Sequence, residues 1–142
     1  MTAKICREPF SSGSCHIDDF LNDIILERFP FNIEMRQMAD LVMVAIRDPD
    51  IYVDKKAIDD FVDFINEYRP YELAPPQRFI HACIRGLRYR SSGRLVFKET
   101  LLLCARGFGK NSIASDEAFY SVTNRGGVPK YNVDIVATSE AQ

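Results

Sequence analysis

Several things are missing from this sequence, and each absence narrows what it encodes. No apolar run approaches the roughly eighteen residues needed to cross a bilayer, so a membrane-spanning helix is excluded. Histidine is scarce. The four cysteines (Cys6, Cys15, Cys83, Cys104) form no C-x-x-C pair and have no histidine at ligand spacing. Cys15 and His16 are adjacent, an arrangement that structural zinc sites rarely use alone. A zinc-built fold is excluded on this pattern, and reduced thiols of a cytoplasmic chain are expected. The opening MTAKICREPFSSGSCHIDD lacks the basic-then-apolar layout of a secretory leader. No internal repeat is visible, and the only loose composition is the Ser- and Gly-bearing lead-in over residues 1–14.

What is present is a 142-residue chain, 46% hydrophobic and 27% charged. That suits one soluble domain with a proper core. Its charge is segregated. Residues 1–76 hold 8 Lys/Arg against 15 Asp/Glu, whereas residues 77–110 hold 8 Lys/Arg against Glu99 alone. A basic centre behind an acidic front points to a phosphate-bearing partner, or to a solvated face that pairs with that front.

Hydrophobic spacing predicts a helical first half, residues 1–69. Ile17, Phe20, Leu21, Ile24, Ile25 and Phe29 recur at helical intervals up to Pro30. A second helix carries Met35, Met38, Leu41, Val42, Ala45 and Ile46 and closes at Asp48-Pro49-Asp50. A third, KKAIDDFVDFINEY, has Ile58, Phe61, Val62 and Ile65 as its stripe and stops at Pro70. From residue 70 the character changes. Pro75 and Pro76 suit a helix start, and Phe79, Ile80, Cys83, Ile84 and Leu87 form one face of the helix that follows. Ser91-Ser92-Gly93 is a turn. The continuous apolar run Leu101–Ala105 predicts a strand buried on both faces of a parallel sheet. A helix over 111–123, a turn at 125–129 and a second strand over 131–138 would complete a βαβ unit. The predicted fold class is therefore α/β: a helical front (1–69), then, given the loop over residues 104–112, the start of an incomplete phosphate-loop NTPase over 70–142.

The chemistry concentrates in CARGFGKNS, residues 104–112. A phosphate loop reads G-x-x-x-x-G-K-[ST], with small residues for close backbone approach, a lysine for the outer phosphates and a hydroxyl for magnesium. Gly107, Gly109 and Lys110 meet the first two of those needs. Cys104 replaces the first glycine and Asn111 the hydroxyl residue, with Ser112 beside it.

Arg106, giving R-x-x-G-K, makes the resemblance more specific. The stretch ETLLLCARGFGKNSIASDEAFY resembles the ATPase motif of phage terminase large subunits, the motors that package DNA. That family places an arginine inside a deviant loop and often lacks the first glycine. PYELAPPQRFIHACIRG resembles the family's upstream segment, whose glutamine contacts adenine, and VDIVATSEAQ resembles its second strand and exit. The ordered match covers about residues 70–142.

The resemblance implies ATP and Mg²⁺ as cofactors. Gln77 would read adenine; Gly107, Phe108 and Gly109 would offer backbone; Lys110 would bind the β and γ phosphates with Ser112 nearby. Arg106 would stabilise γ-phosphate charge, and Asn111 would reach magnesium through its side-chain oxygen or a water. Implied partners are double-stranded DNA, a small terminase subunit and a capsid portal, in the host cytoplasm; self-assembly stays open. No four-apolar-then-acid pattern follows Lys110, so the sequence reads as the N-terminal piece of a longer motor whose nuclease domain lies further on, and which is inactive on its own. Two readings stand beside this one: another phosphate-loop ATPase such as a helicase, and a non-catalytic helical interaction module.

Overall fold

Polar side chains at the boundaries explain where the helices begin and end. The computed structural model describes residues 8–126 and 132–134. Helix α1 (Cys15–Ile25) is followed by α2 (Ile33–Arg47), strand β1 (Ile51–Val53), α3 (Lys55–Tyr68), α4 (Pro75–Gly86), strand β2 (Leu87–Tyr89) and α5 (Lys110–Val122). Asn32 caps α2 by accepting from the Met35 N–H at 2.9 Å, and Asp54 caps α3 by accepting from the Ala57 N–H at 3.1 Å. Pro75 and Pro76 occupy the first turn of α4, where no donor is lost.

α1 ends before Pro30, and by a different device from the one the sequence suggests. Glu27 adopts φ 53°, a left-handed conformation that non-glycine residues avoid. The Glu27 N–H then reaches the Ile24 carbonyl at 3.2 Å and the Arg28 N–H the Asp23 carbonyl at 3.0 Å. This is a Schellman ending with glutamate in the glycine position. Phe29, placed on the predicted stripe, lies past the helix and is 59% exposed.

The described part of the lead-in is tied down rather than loose. The Asn22 side chain accepts from the Phe10 N–H at 2.8 Å and donates to the Phe10 carbonyl at 2.9 Å, as a neighbouring strand would. Asp18 accepts from the Ser12 N–H at 2.7 Å.

The core lies where α4 packs on both α1 and α3. Phe79 of α4 meets Phe20 of α1 with ring centroids 5.0 Å apart, and His81 meets Phe61 of α3 at 4.7 Å. Ile17, Leu21, Ile58, Phe61, Val62, Ile65 and Ala82 are buried around them. Packing on two sides buries His81 and Ala82 and leaves Ile80 and Ile84, members of the predicted stripe, half-buried. Gly86 closes α4 against α3, where an added Cβ would collide with the Ile58 side chain.

The sheet differs from the expected one. β1 and β2 pair antiparallel in the register Ile51↔Tyr89, Tyr52↔Arg88, Val53↔Leu87, and Arg88 bridges on to Leu95. The stretch 87–89, read from sequence as the end of a helix, is thus a strand. The predicted strand over residues 101–105 has no ladder partner among the described residues, and Leu101 and Leu103 are each 84% exposed. A buried parallel strand needs neighbours on both edges, and a local apolar run cannot supply them. Most of the second predicted strand, 131–138, lies outside the described residues; positions 132–134 carry no regular structure. The chain is α/β and mostly helical, and its sheet is a two-stranded antiparallel ribbon.

Two compact units divide between Leu101 and Leu102, later than the 69/70 boundary read from sequence, because α4 packs into the helical front. Among the described residues no helix is long and apolar enough to cross a membrane.

Candidate phosphate-binding turn

The second unit begins with a stretch that carries no regular structure and turns at Arg106–Gly107. The Phe108 N–H points back to the Ala105 carbonyl at 3.4 Å. Gly107 sits at φ 89° and Gly109 at φ 90°, both in the left-handed region that glycine enters without penalty. Gly109 is the N-cap of α5; its carbonyl accepts from the Ile113 N–H at 2.9 Å, and no side chain caps the first turn. Lys110, Asn111 and Ser112 are the first three residues of α5, so their backbone donors precede the helical ladder.

The predicted loop residues are therefore contiguous along one turn and one helix start. Arg106, Gly107, Lys110 and Asn111 are exposed, while Phe108, Gly109 and Ser112 are half-buried. Positive charge at Arg106 and Lys110, the positive end of the helix dipole and uncapped N–H groups all favour an anion at this turn. The helix itself is held by Ile113, Asp116 and Tyr120, its buried residues. That i, i+3, i+7 spacing is readable in the sequence, although the charge of Asp116 masks it as an apolar stripe.

Gln77 belongs to the first unit. It is the third residue of α4, and its side-chain oxygen accepts from the Ala74 N–H at 3.1 Å, the reciprocal half of a capping box. That bond uses one acceptor position of the Gln77 amide oxygen. Arg106, for which pairing with the acidic front was the other expectation, shows no ion pair among the described residues.

For magnesium, the turn supplies two neutral oxygens, the Asn111 amide and the Ser112 hydroxyl. Among the described residues no group of three or more His, Cys, Asp or Glu could hold a metal ion. That donor set fits Mg²⁺ only as part of a metal–nucleotide complex, in which phosphates and water fill most positions. Burial pushes the Cys83 thiol up to about 12, so it stays protonated and unreactive.

Compared with protein-family models, curated proteins and solved structures, the chain finds no match.

Proposed function

We propose that the chain is the nucleotide-binding N-terminal part of a DNA-packaging motor of the terminase large-subunit kind, with residues 106–112 holding the phosphates of ATP. The observation that supports this reading best is the pair of left-handed glycines leading into an uncapped helix whose first residue is Lys110. Backbone donors at the start of α5 would meet the phosphate oxygens, and the Lys110 ammonium would reach the β and γ phosphates. Arg106, three residues before Gly109, would take up charge that gathers on the γ-phosphate during in-line attack by water. Magnesium, when bound with the nucleotide, would neutralise phosphate charge; Asn111 and Ser112 would orient it from the protein side. On this reading residues 101–105 form a strand once further sheet neighbours are supplied by the longer protein. The residues that activate water also come from there, and the 142-residue chain binds nucleotide without turning it over.

Calorimetric titration of ATP–Mg into the chain tests the proposal. Measurable binding that falls at least tenfold in Lys110→Ala supports it. An identical flat response from both proteins overturns it and favours the second reading, a helical interaction module. That alternative has its own support, since Ile33, Leu41 and Val44 of α2 are 65%, 69% and 66% exposed.

A further inference from the structure

We infer that the turn joining β2 to residues 94–96 is a contact point for the phosphate backbone of double-stranded nucleic acid. The inference rests on the first unit alone and holds whether or not residues 106–112 bind nucleotide. Its backbone is fixed before any ligand arrives. The Tyr89 N–H bonds the Arg94 carbonyl at 2.9 Å, the Gly93 N–H bonds the Tyr89 carbonyl at 2.8 Å, and the Val96 N–H bonds the Leu87 carbonyl at 2.9 Å. Asp50, just before β1, ties the tip from the other side. Its carbonyl accepts from the Arg90 N–H at 2.6 Å, and its carboxylate accepts from the Ser91 N–H at 3.1 Å and the Ser91 hydroxyl at 3.0 Å.

The cations here divide into two sets. Arg88 is structural: its Nε lies 3.1 Å from the Asp54 carboxylate, and its guanidinium also donates to the Gly93 carbonyl at 3.1 Å. Arg90, Arg94 and Lys98 are exposed, and among the described residues no carboxylate pairs with them. The Arg90 guanidinium lies over the Tyr52 ring, 5.5 Å from its centroid, a cation–π contact. Three acids lie near these cations, Asp50 and Asp54 across the ribbon and Glu99 beside Lys98 in sequence, and Asp54 is taken up by Arg88. Asp50 is engaged by Ser91, and Glu99 is exposed next to Lys98.

The chemistry of the tip selects its partner. A protein interface needs an apolar or aromatic anchor at its centre, and residues 90–94 offer only Arg, Ser, Ser, Gly and Arg. Single strands are gripped by exposed rings on which bases stack, but Tyr52 lies under Arg90 and both Tyr52 and Tyr89 are half-buried. What remains is recognition by charge, with the Ser92 hydroxyl as the one side-chain O–H at the tip not already donated to Asp50. That suits the closely spaced phosphates of a duplex, and the guanidinium fork matches phosphate geometry.

Fluorescence anisotropy with a labelled 20-base-pair DNA duplex tests this. Three phosphate contacts give a log–log salt slope of about −2.7, so wild-type affinity should fall roughly 40-fold between 50 and 200 mM salt. The triple variant R90A/R94A/K98A should bind at least tenfold more weakly at 50 mM, with a much shallower slope, while keeping its helical circular dichroism. Arg28→Ala, which removes a cation on the far side of α1 in sequence, should bind as wild type. Equal duplex binding by the triple variant overturns the inference, as does no duplex binding by wild type. Equal or tighter binding of a single strand or of polyglutamate also overturns it.

Discussion

Residues 8–101 close four amphipathic helices around an aromatic centre, whereas the described residues from 102 onward offer a glycine turn and one helix with three buried side chains. In the first region, Phe20, Phe61, Phe79 and His81 each meet partners contributed by other helices. In the second, α5 buries Ile113, Asp116 and Tyr120, and the chain leading into it leaves Leu103 84% exposed. The contrast teaches where stability and chemistry each reside. A well-filled interior can afford only side chains that fit, while a turn that must admit an anion keeps its donors uncapped and its cations in solvent.

The widest test of that contrast is truncation on each side. Phe79→Ala, in the aromatic centre, should lose about 3–5 kcal/mol in urea unfolding, and Ile113→Ala only about 2 kcal/mol. If Ile113→Ala proves the more damaging, the contrast is wrong. Gly86→Ala should lose about 1–3 kcal/mol, because the new methyl must push Ile58 aside at the junction of α3 and α4. A neutral outcome would mean that this junction yields more easily than its spacing implies. Glu27→Gly should act in the opposite direction and stabilise by up to about 1 kcal/mol. It relieves the left-handed strain at φ 53° and gives up only an exposed ion pair with Arg36.

The smallest effect at neutral pH belongs to Cys83. Its thiol is raised from 9.0 to about 12 by burial, so the folded chain keeps a proton that the unfolded chain releases. Stability from this group is therefore complete below pH 9 and is lost as pH climbs from 9 toward 12. Urea midpoints at pH 8 and pH 10 should show the decline, and Cys83→Ala should make it shallower.

Helices were legible in the sequence because their signal is local. The stripe of α3 at Ile58, Phe61, Val62 and Ile65 is buried throughout. α2 was read less well: of its predicted stripe Val42 is buried but Leu41 is 69% exposed, and Ala39, off that stripe, is buried too. With apolar residues all around that helix, periodicity could not choose a face. The ribbon was illegible for another reason. Strands of three residues show too little alternation, and β1 pairs with a segment 34 to 38 positions away that looks like a helix tail. Glycine made the turn at 106–109 readable, whereas the strand expected before it depended on neighbours that no local pattern specifies.

Asp50 has a consequence for the order in which the chain assembles. Its hydrogen bonds to Ser91 span 41 residues and enclose all of α3 and α4. Closing so long a loop from an open chain is entropically unfavourable, and the three-residue ladder alone is too short to offset it. The ribbon must therefore wait until α3 and α4 have packed and brought its ends together, which makes it a late latch on a helical hairpin. Amide exchange at Ser91 should then report on whether that hairpin is complete. The same delay means that the basic tip exists only in a chain whose core has already formed.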